Sequence, residues 1–384
     1  MKNARNTLFL GSVLALAACG GEMNDMDSLE ASELGQTQAP LLKAEPGKAI
    51  PGAYIVKLRD GAQFSTLGNV MAEVKTRHQY SIINGFAADL DEKQLDALRR
   101  NPMVEYVEED GVASIDATQT GAPWGLDRID QKTLPLNGTY IYTSTASNIN
   151  AYIIDTGIYT AHSNFGGRAT NVYDAFGGTG ADCNGHGTHV AGTVGGSTYG
   201  VAKAVKLRGV RVLDCNGSGS WSGVIAGMDW VRLNHVKPAV ANMSLGGAAN
   251  TSVNTAATNL SNAGVFVAVA AGNNSGANAC SYSPAGATNV TTVGSTASND
   301  TRSSFSNIGS CVDIYAPGSN ILSTSSSGGT ATMSGTSMAS PHVAGVGALY
   351  KATYGDASSA TINTWLVNNG TTLSFGKLLY KSSL

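Results

Sequence analysis

The sequence predicts two folded units, a small α+β domain in the ferredoxin-like manner followed by a larger α/β domain with a doubly wound, mostly parallel sheet. Two observations predict this arrangement. Between residues 49 and 114, strand-like and helix-like patterns alternate over a short distance. From residue 117 to residue 384, continuous apolar runs alternate with helical stretches, which is typical of buried parallel strands with helices on both faces.

Length and charge narrow the class of protein. A chain of 384 residues with 42% hydrophobic residues can bury a large core. Its formal net charge of -3 gives no field that would attract a polyanion, and Lys and Arg form no dense cluster. Nucleic acid is therefore not an expected partner.

The N-terminus, residues 1–19, has the pattern of a signal peptide. Lys2 and Arg5 precede the apolar run TLFLGSVLALAA, which is too short to span a bilayer as a mature helix. The run ends in LAAC, which resembles a bacterial lipobox and predicts lipidation of Cys19. An ordinary signal peptide is the alternative, and both interpretations predict export.

The small domain is predicted to span residues 49–116, after a flexible linker at 20–48 that carries few aromatic or β-branched residues. AYIVKL at 53–58, INGFAADL at 83–90 and MVEYVEED at 103–110 have strand patterns. The stretch 67–78 and the segment LDEKQLDALRRN are predicted helices, the second ended by Asn101-Pro102.

Residues 117–384 contain the apolar runs of the larger domain. The clearest predicted strands are NAYIIDTG, VKLRGVRVL, AVANMSLGG and VFVAVAAGNN. In an open parallel sheet, sites lie at the carboxyl ends of the strands. The residues that follow these runs are therefore the candidates for chemistry.

Three segments rich in small residues each place one reactive group: IIDTGI, NGHGTHVAG and SGTSMASPHVAG. Asp155 ends an apolar strand, where a buried carboxylate can orient an imidazole. His186 lies between glycines at a predicted helix start and can act as a general base. Ser337 opens a predicted helix whose N-H groups favour a developing oxyanion, so Ser337 is the candidate nucleophile.

The order Asp, His, Ser within DTG, HGTH and GTSMASPH resembles the subtilases, and among them the proteinase K and aqualysin-like group. APWGLDRID, YGVAK, VLDCNGSG, SLGG and RSSFSN follow in the family's order. The resemblance implies a subtilisin-like fold and a serine endopeptidase that hydrolyses peptide bonds in proteins. Residues 51–114 resemble the family's inhibitory propeptide, which implies that the chain's own propeptide is an intramolecular inhibitor.

The resemblance also assigns binding roles. It places the Asn273 side chain in the oxyanion hole with the Ser337 backbone N-H. It implies one wall of the specificity pocket and an edge that pairs with extended substrates, formed by Ser244, Leu245, Gly246, Gly247, Gly217, Gly219 and Trp221. Backbone pairing reads no side chains, so broad specificity is expected, with an apolar or aromatic residue before the cleaved bond.

Four cysteines remain besides Cys19, and an even number in an exported chain predicts disulfides with three possible pairings. The resemblance favours the sequence-local pairs, Cys183 with Cys215 and Cys280 with Cys311. A competing zinc site in CNGHGTH would use Cys183, His186 and His189, but bound metal would block His186 as a base. We instead expect His189 and His342 to be buried packing residues.

Structural calcium is the one cofactor implied by the resemblance, and no organic cofactor is expected. One site would use Asp313 with the carbonyls of Thr288 and Val290, because hard cations take oxygen ligands. A second would use Asp127, Asp130 and Gln131, although Asn137 and Thr139 stand where relatives tend to carry better calcium ligands. Asp174 and Asp182 could also touch calcium, but are expected to be solvated loop carboxylates.

The sequence thus predicts a precursor cleaved near Asp116-Ala117, whose 117–384 portion is a monomeric peptidase. If Cys19 is lipidated, that cleavage separates the anchor from the enzyme. The rival from another class is a catalytically silent binding protein, and a third possibility is a processing protease with one natural target.

Overall fold

The computed structural model describes residues 38–44, 49–71, 74–111 and 117–384. The predicted signal peptide, Cys19, most of the linker and the residues just before Ala117 lie outside these ranges. None of the helices within them combines the length and apolarity that crossing a bilayer requires.

Residues 38–111 form a five-stranded sheet with the order β1-β5-β2-β4-β3. Its elements are β1 (Leu41–Leu42), β2 (Ala49–Leu58), β3 (Lys75–Tyr80), β4 (Gly85–Asp89), α1 (Glu92–Arg100) and β5 (Val104–Gly111). The strands β2 to β5 pair with one another antiparallel, and their order is that of a ferredoxin-like sheet. Val56, Phe86, Leu98 and Val107 are buried between the sheet and α1. The predicted strands at 53–58 and 103–110 and the helix ended at Asn101 are present.

Two expectations for this region are wrong. The helix predicted over 67–78 is instead a 3₁₀ helix, Phe64–Met71, followed by β3. Gly68 has φ 57° and interrupts the turn, and the segment KTRHQY pairs with β4. Residues 38–44, expected in the linker, contribute β1, which pairs in parallel with β5 and buries Ala39. Backbone pairing, which composition does not reveal, orders this segment.

Residues 117–384 form a nine-stranded sheet with the order β19-β20-β16-β15-β13-β11-β8-β10-β9. Its strands are β8 (Asn150–Asp155), β9 (Ala169–Asp174), β10 (Lys206–Arg211), β11 (Ala239–Met243), β13 (Phe266–Ala270), β15 (Thr291–Thr296), β16 (Ile314–Pro317), β19 (Thr371–Leu373) and β20 (Gly376–Leu378). Only β19 and β20 are antiparallel to each other. The chain leaves β8 on one side toward β10 and β9 and on the other toward β11, so the strand order reverses at β8.

Helices cover both faces of this sheet. They are α2 (Trp124–Ile129), α3 (His186–Gly195), α4 (Trp221–Asn234), α5 (Thr251–Asn262), α6 (Thr336–Tyr354) and α7 (Ser359–Asn369). The helices α3, α6 and α7 pack with Ile153 and Phe266 on one face, and α4 and α5 pack with Ile154 and Val267 on the other. This arrangement confirms the predicted doubly wound α/β fold.

Three short antiparallel pairs complete the domain: β6 (Ala117–Thr120) with β7 (Thr139–Tyr142), β12 (Gly247–Ala248) with β14 (Tyr282–Ser283), and β17 (Ile321–Thr324) with β18 (Thr330–Met333). The β17–β18 hairpin packs on α3, because His189 binds the carbonyl oxygens of Ile321 and Ala331. The four predicted strands correspond to β8, β10, β11 and β13, each of which is shorter than the predicted run, and every residue of β8, β11 and β13 is buried.

Candidate active site

Asp155 and His186 form a hydrogen-bonded pair at the carboxyl end of β8. The Nδ1 atom of His186 lies 2.7 Å from Oδ1 of Asp155. The carboxyl group is fully buried, whereas a quarter of the His186 side chain is exposed to the cleft. The same Asp155 oxygen accepts the N-H of Thr156, which fixes the rotation of the carboxylate. The pair therefore leaves Nε2 of His186 as the ring nitrogen available for proton transfer.

Burial of the His186 ring lowers its pKa, but the charge and hydrogen bond of Asp155 and the charge of Asp182 raise it by more. The net effect is a His186 pKa above its ordinary value of 6.5. A base whose pKa is raised accepts a proton more readily than an ordinary imidazole.

Ser337 lies in the first turn of α6 and lines the same cleft as His186. Its Oγ donates to the backbone oxygen of Ser244 at 3.2 Å. In this structure the hydroxyl proton is thus directed at that carbonyl rather than at the imidazole. Ser244 in turn donates from its own Oγ to the backbone oxygen of Ser337 at 2.7 Å, so the two residues hold each other.

The Asn273 side chain is held through its amide oxygen by Thr336, the residue before Ser337. Its Oδ1 accepts from the backbone N-H of Thr336 at 2.8 Å and from Thr336 Oγ1 at 2.9 Å. The hydroxyl oxygen of Thr336 also accepts the N-H of Gly272, which joins the end of the β13 segment to the start of α6. The Nδ2 donor of Asn273 is consequently the part of the side chain free to face a ligand in the cleft.

The cleft has a volume of about 610 Å³ and brings together the residues expected to bind substrate. Gly217, Gly219, Trp221, Ser244, Leu245, Gly246 and Gly247 all line it, with His186, Asn273 and Ser337. The Trp221 ring packs on Gly247, where an added Cβ would lie 2.9 Å from the ring. Sequence reasoning missed several lining residues: Leu213, Val224, Ala270, Ala271, Tyr282 and Ala285. Leu213, Ala270 and Ala271 lie in segments that the sequence marks for other reasons, whereas Val224, Tyr282 and Ala285 lie outside every marked segment.

Both disulfides join the sequence-local pairs, Cys183 with Cys215 and Cys280 with Cys311. The first connects the loop before His186 to the loop that carries Gly217 and Gly219. Asn184 adds a second link, because its Nδ2 donates to the Cys215 backbone oxygen at 3.0 Å. The zinc interpretation is wrong, since Cys183 carries no free thiolate.

The histidines behind the site are buried, as expected. Burial lowers the pKa of His189 and of His342 to about 4, so both are neutral near pH 7. The Nε2 atom of His189 lies 3.0 Å from the Ile321 oxygen, and Nδ1 of His342 lies 2.9 Å from the Met338 oxygen. These contacts tie α3 to the β17–β18 hairpin and stiffen the first turns of α6.

The sequence predicts that Asp174 and Asp182 are solvated loop carboxylates. In the structure, both accept backbone N-H groups instead. Asp174 accepts the N-H groups of Phe176 and Gly180, each at 2.9 Å. Asp182 accepts the N-H of Thr188 at 2.9 Å at the start of α3. Its position four residues before His186 is the signal that could have identified it.

The candidate calcium residues form two sets of oxygen donors. Asp313 is a half-buried carboxylate whose Oδ2 accepts the N-H of Thr292 and whose Oδ1 accepts from Asn363, and this partial burial raises its pKa. A cation there would offset that burial cost. The carbonyl of Thr288 accepts from Thr258, and Val290 is buried.

At the second site, Asp127 accepts the N-H of Gly138 at 2.7 Å. Asp130 Oδ1 is buried without a hydrogen-bond partner, and burial raises the Asp130 pKa to about 6. This unpartnered oxygen fits a cation. The Gln131 Nε2 atom donates to carbonyls of the same loop, so only its oxygen could serve as a ligand. Within the described residues, no cluster of three or more His, Cys, Asp or Glu forms a metal site from side chains alone.

Comparison with known proteins places this geometry in context. A model described as "Subtilase family" matches residues 148–381, and one described as "Peptidase inhibitor I9" matches residues 53–116. The chain is 47% identical over 397 aligned positions to "Extracellular serine proteinase" of Thermus sp. (strain Rt41A), covering 96% of this chain and 94% of that one. It is 48% identical over 342 positions to "Proteinase R" of Parengyodontium album, covering 87% of each chain.

Among solved structures, the chain matches one described as "Crystal structure of a cold adapted subtilisin-like serine proteinase". The TM-score is 0.68 at 50% sequence identity, and the match covers 69% of this chain and all of the other.

Proposed function

Because the chain belongs to the subtilase family of serine peptidases, we propose that it is a secreted serine endopeptidase made as a self-processing zymogen. The observation that carries this proposal is the Asp155–His186 hydrogen bond of 2.7 Å beside a cleft that also contains Ser337 and Asn273. An acid, a base, a nucleophile and an oxyanion donor within one cleft are the parts that acyl transfer requires.

In the proposed reaction, Ser337 Oγ turns from the Ser244 carbonyl and attacks the peptide carbonyl carbon. His186 Nε2 takes the hydroxyl proton and then gives it to the leaving amine, and Asp155 holds the imidazolium. The tetrahedral oxygen accepts from Asn273 Nδ2 and the Ser337 N-H. Water then attacks the acyl-enzyme with His186 again as base, which releases the acid product and restores Ser337.

Substrates are proposed to bind as an extended strand along the segment with Gly217 and Gly219, which contacts backbone rather than side chains. The apolar walls from Leu245, Ala271 and Ala285 support a preference for an apolar or aromatic residue before the cleaved bond. Most other positions of the substrate would be read weakly. Specificity is therefore proposed to be broad, which disfavours a protease with one natural target.

Residues 49–116 are proposed to inhibit the enzyme and to assist its folding until cleavage near Asp116-Ala117. The match of residues 53–116 to an inhibitor family supports this assignment. Cys19 is proposed to carry a lipid that tethers only the zymogen. The mature enzyme would then be extracellular and monomeric. In the Ser337→Ala precursor, which should stay uncut, replacing Cys19 by Ser should release the protein from the membrane fraction.

Calcium is proposed as a structural cofactor, held by Asp313 with the carbonyls of Thr288 and Val290, and at a second position by Asp127, Asp130 and Gln131. It would neutralise these carboxylates and take no part in the reaction. Chelation should lower the melting temperature of the inhibited mature enzyme, and adding calcium should restore it. In Asp313→Asn, calcium should restore less of the melting temperature.

The first test compares the wild type with Ser337→Ala, both expressed with export. Intact mass and N-terminal sequence report maturation, and a peptide with an aromatic residue before the scissile bond reports activity. The proposal expects the wild type to be cut near residue 116 and active, and the variant to be uncut and inert. A folded wild type that is uncut and inactive would favour the silent binding protein.

A further inference from the structure

The carboxylate of Asp182 connects the segment that carries the acid to the helix that carries the base. Five donors bind its two oxygens: Oδ1 accepts from Thr156 Oγ1 at 2.9 Å, Asn184 N at 3.0 Å and Gly185 N at 2.8 Å, and Oδ2 accepts from Thr188 N at 2.9 Å and Thr188 Oγ1 at 2.5 Å. Thr156 directly follows Asp155, and the other donors surround His186 in the chain.

The helix α3 depends on these contacts because it has no cap of its own. Its N-cap residue is Gly185, which has φ 105° and no side chain to accept the first helical N-H groups. Thr156 Oγ1 accepts the Gly187 N-H at 2.9 Å, and Asp182 accepts the Thr188 N-H. A carboxylate at this end also interacts favourably with the helix dipole.

Two hydroxyl groups complete the connection between the segment after β8 and α3. Thr156 Oγ1 donates to Asp182 and accepts from α3, and Thr188 Oγ1 donates to Asp182 and accepts the N-H of Tyr159 at 2.9 Å. Thr156, Gly187 and Thr188 are fully buried, so water cannot easily replace these bonds. The distance between the Asp155 carboxylate and the His186 ring is thus set by bonds that join the segment after β8 to the start of α3.

We propose that Asp182 is a positioning residue for the catalytic pair, which holds His186 against Asp155 and electrostatically favours the imidazolium formed during the reaction. The inference rests on the proposed function, because it concerns the same proton transfer. Two carboxylates face His186, Asp155 from β8 and Asp182 from the loop before α3, and the nearby His189 on α3 is neutral. After burial and Asp155, the Asp182 charge is a further cause of the raised His186 pKa.

The test is Asp182→Asn, which keeps the size of the side chain and removes its charge. With a peptide substrate, kcat should fall about tenfold while KM stays nearly constant, since the base is misplaced but the groove is intact. The acidic limb of kcat/KM should also move to lower pH, because a charge that favours protonated His186 is gone. A lower melting temperature with an unmoved acidic limb and unchanged kcat would overturn the proposal.

Asp174→Asn is the matched control. Asp174 is also a loop carboxylate that accepts two backbone N-H groups, and it pairs with Arg211 at 3.4 Å instead of contacting α3. Its loss should cost stability without moving the acidic limb. Identical pH profiles for the two variants would reduce Asp182 to a structural role.

A second variant, Thr156→Val with Thr188→Val, covers the case in which Asp182→Asn does not mature. It removes both hydroxyl bridges and keeps the charge, so kcat should fall with the acidic limb in place. A wild-type kcat in this variant would contradict the positioning role. The wild type and Ser337→Ala report separately on the proposed function: an inactive wild type refutes that function, whereas an active one leaves any failure with Asp182 alone.

Discussion

At the scale of single residues, the site combines a hydrogen-bonded pair, proposed as acid and base, with a serine, proposed as nucleophile, whose hydroxyl is bound elsewhere. His186 is bound to Asp155, while the Ser337 hydroxyl donates to the Ser244 carbonyl. Rotation about one side-chain bond of Ser337 would redirect its hydroxyl from that oxygen toward the imidazole. In the proposed reaction, the groups that stabilise the developing charges, such as Asp155 and Asn273, are therefore already in place before substrate binds.

The raised pKa of His186 predicts the pH dependence of activity. The proposed base acts only when neutral, so kcat/KM should fall as pH decreases through a midpoint above 6.5. The sign follows from the two carboxylates, which favour the protonated ring and so extend its range upward in pH. A profile of kcat/KM against pH on the mature enzyme measures the midpoint, and a value below 6.5 would contradict this account.

Asn273→Ala should lower kcat by roughly 10² to 10³ with little change in KM, because the donor acts mainly on the developing oxyanion. Thr336→Val is the graded companion. It removes one of the two bonds to Asn273 Oδ1 and leaves the backbone N-H in place, so the loss should be only several-fold. Steady-state kinetics on both variants test the order, and a larger loss in Thr336→Val than in Asn273→Ala would refute it.

At the scale of elements, the sequence predicts the strands and helix starts that a local residue pattern marks. The strands β8, β11 and β13 are continuous apolar runs, and the starts of α3 and α6 follow small-residue motifs, so their positions were predictable. The 3₁₀ helix Phe64–Met71 was not, because a left-handed glycine overrides its apolar spacing.

For the site, the residues carrying the proposed chemistry lie within local motifs, whereas Tyr282 and Ala285 line the cleft through contacts that only the folded chain creates. The hydrogen-bond partner of Ser337 is likewise set by packing between α6 and the segment after β11.

The ion pair between the buried Arg128 of α2 and the partly buried Asp300 in the loop after β15 should be costly to break. Arg128 is fully buried and binds both carboxylate oxygens of Asp300, at 2.6 and 3.0 Å. Replacing Arg128 by Met strands the partner carboxylate, so we expect a loss of about 3 to 5 kcal/mol. Thermal unfolding of the inhibited mature enzyme measures this loss.

The control for Arg128 is Arg232→Met. Arg232 pairs with Asp229 on the surface of α4, where both side chains are largely exposed. Such a pair is worth about 0 to 1 kcal/mol. Similar losses in Arg128→Met and Arg232→Met would contradict the assignment of Arg128 as a buried anchor.

At the scale of the whole molecule, the segment that would become the mature N-terminus is bound to the body of the domain. The strand β6 pairs with β7, and Gln119 accepts from Lys203 Nζ at 2.6 Å. Lys203 is nearly buried beneath this strand and also lies over the rings of Tyr140 and Tyr142. Cleavage before Ala117 would therefore leave a new terminus that remains attached.

The lowered pKa of Lys203 predicts that the stability contributed by this attachment rises in alkaline solution. Burial lowers the Lys203 pKa from 10.5 to about 8, so between these values the unfolded chain binds more protons than the folded one. Stability contributed by Lys203 must then rise with pH in this window. Relative to Lys203→Met, the wild type should gain about 2 kcal/mol between about pH 7.5 and about pH 9.5, roughly 4 °C or more in melting temperature.

The comparison of the wild type with Lys203→Met isolates this titration, because groups that ionise in both proteins cancel in the difference. Lys206→Met removes an exposed lysine from the nearby strand β10 and should give a difference that does not change with pH. Melting temperatures of enzyme inactivated with a serine-directed sulfonyl fluoride avoid autolysis. If the Lys203→Met difference stays constant or shrinks with rising pH, the lysine is not held in a desolvating site, and this prediction is wrong.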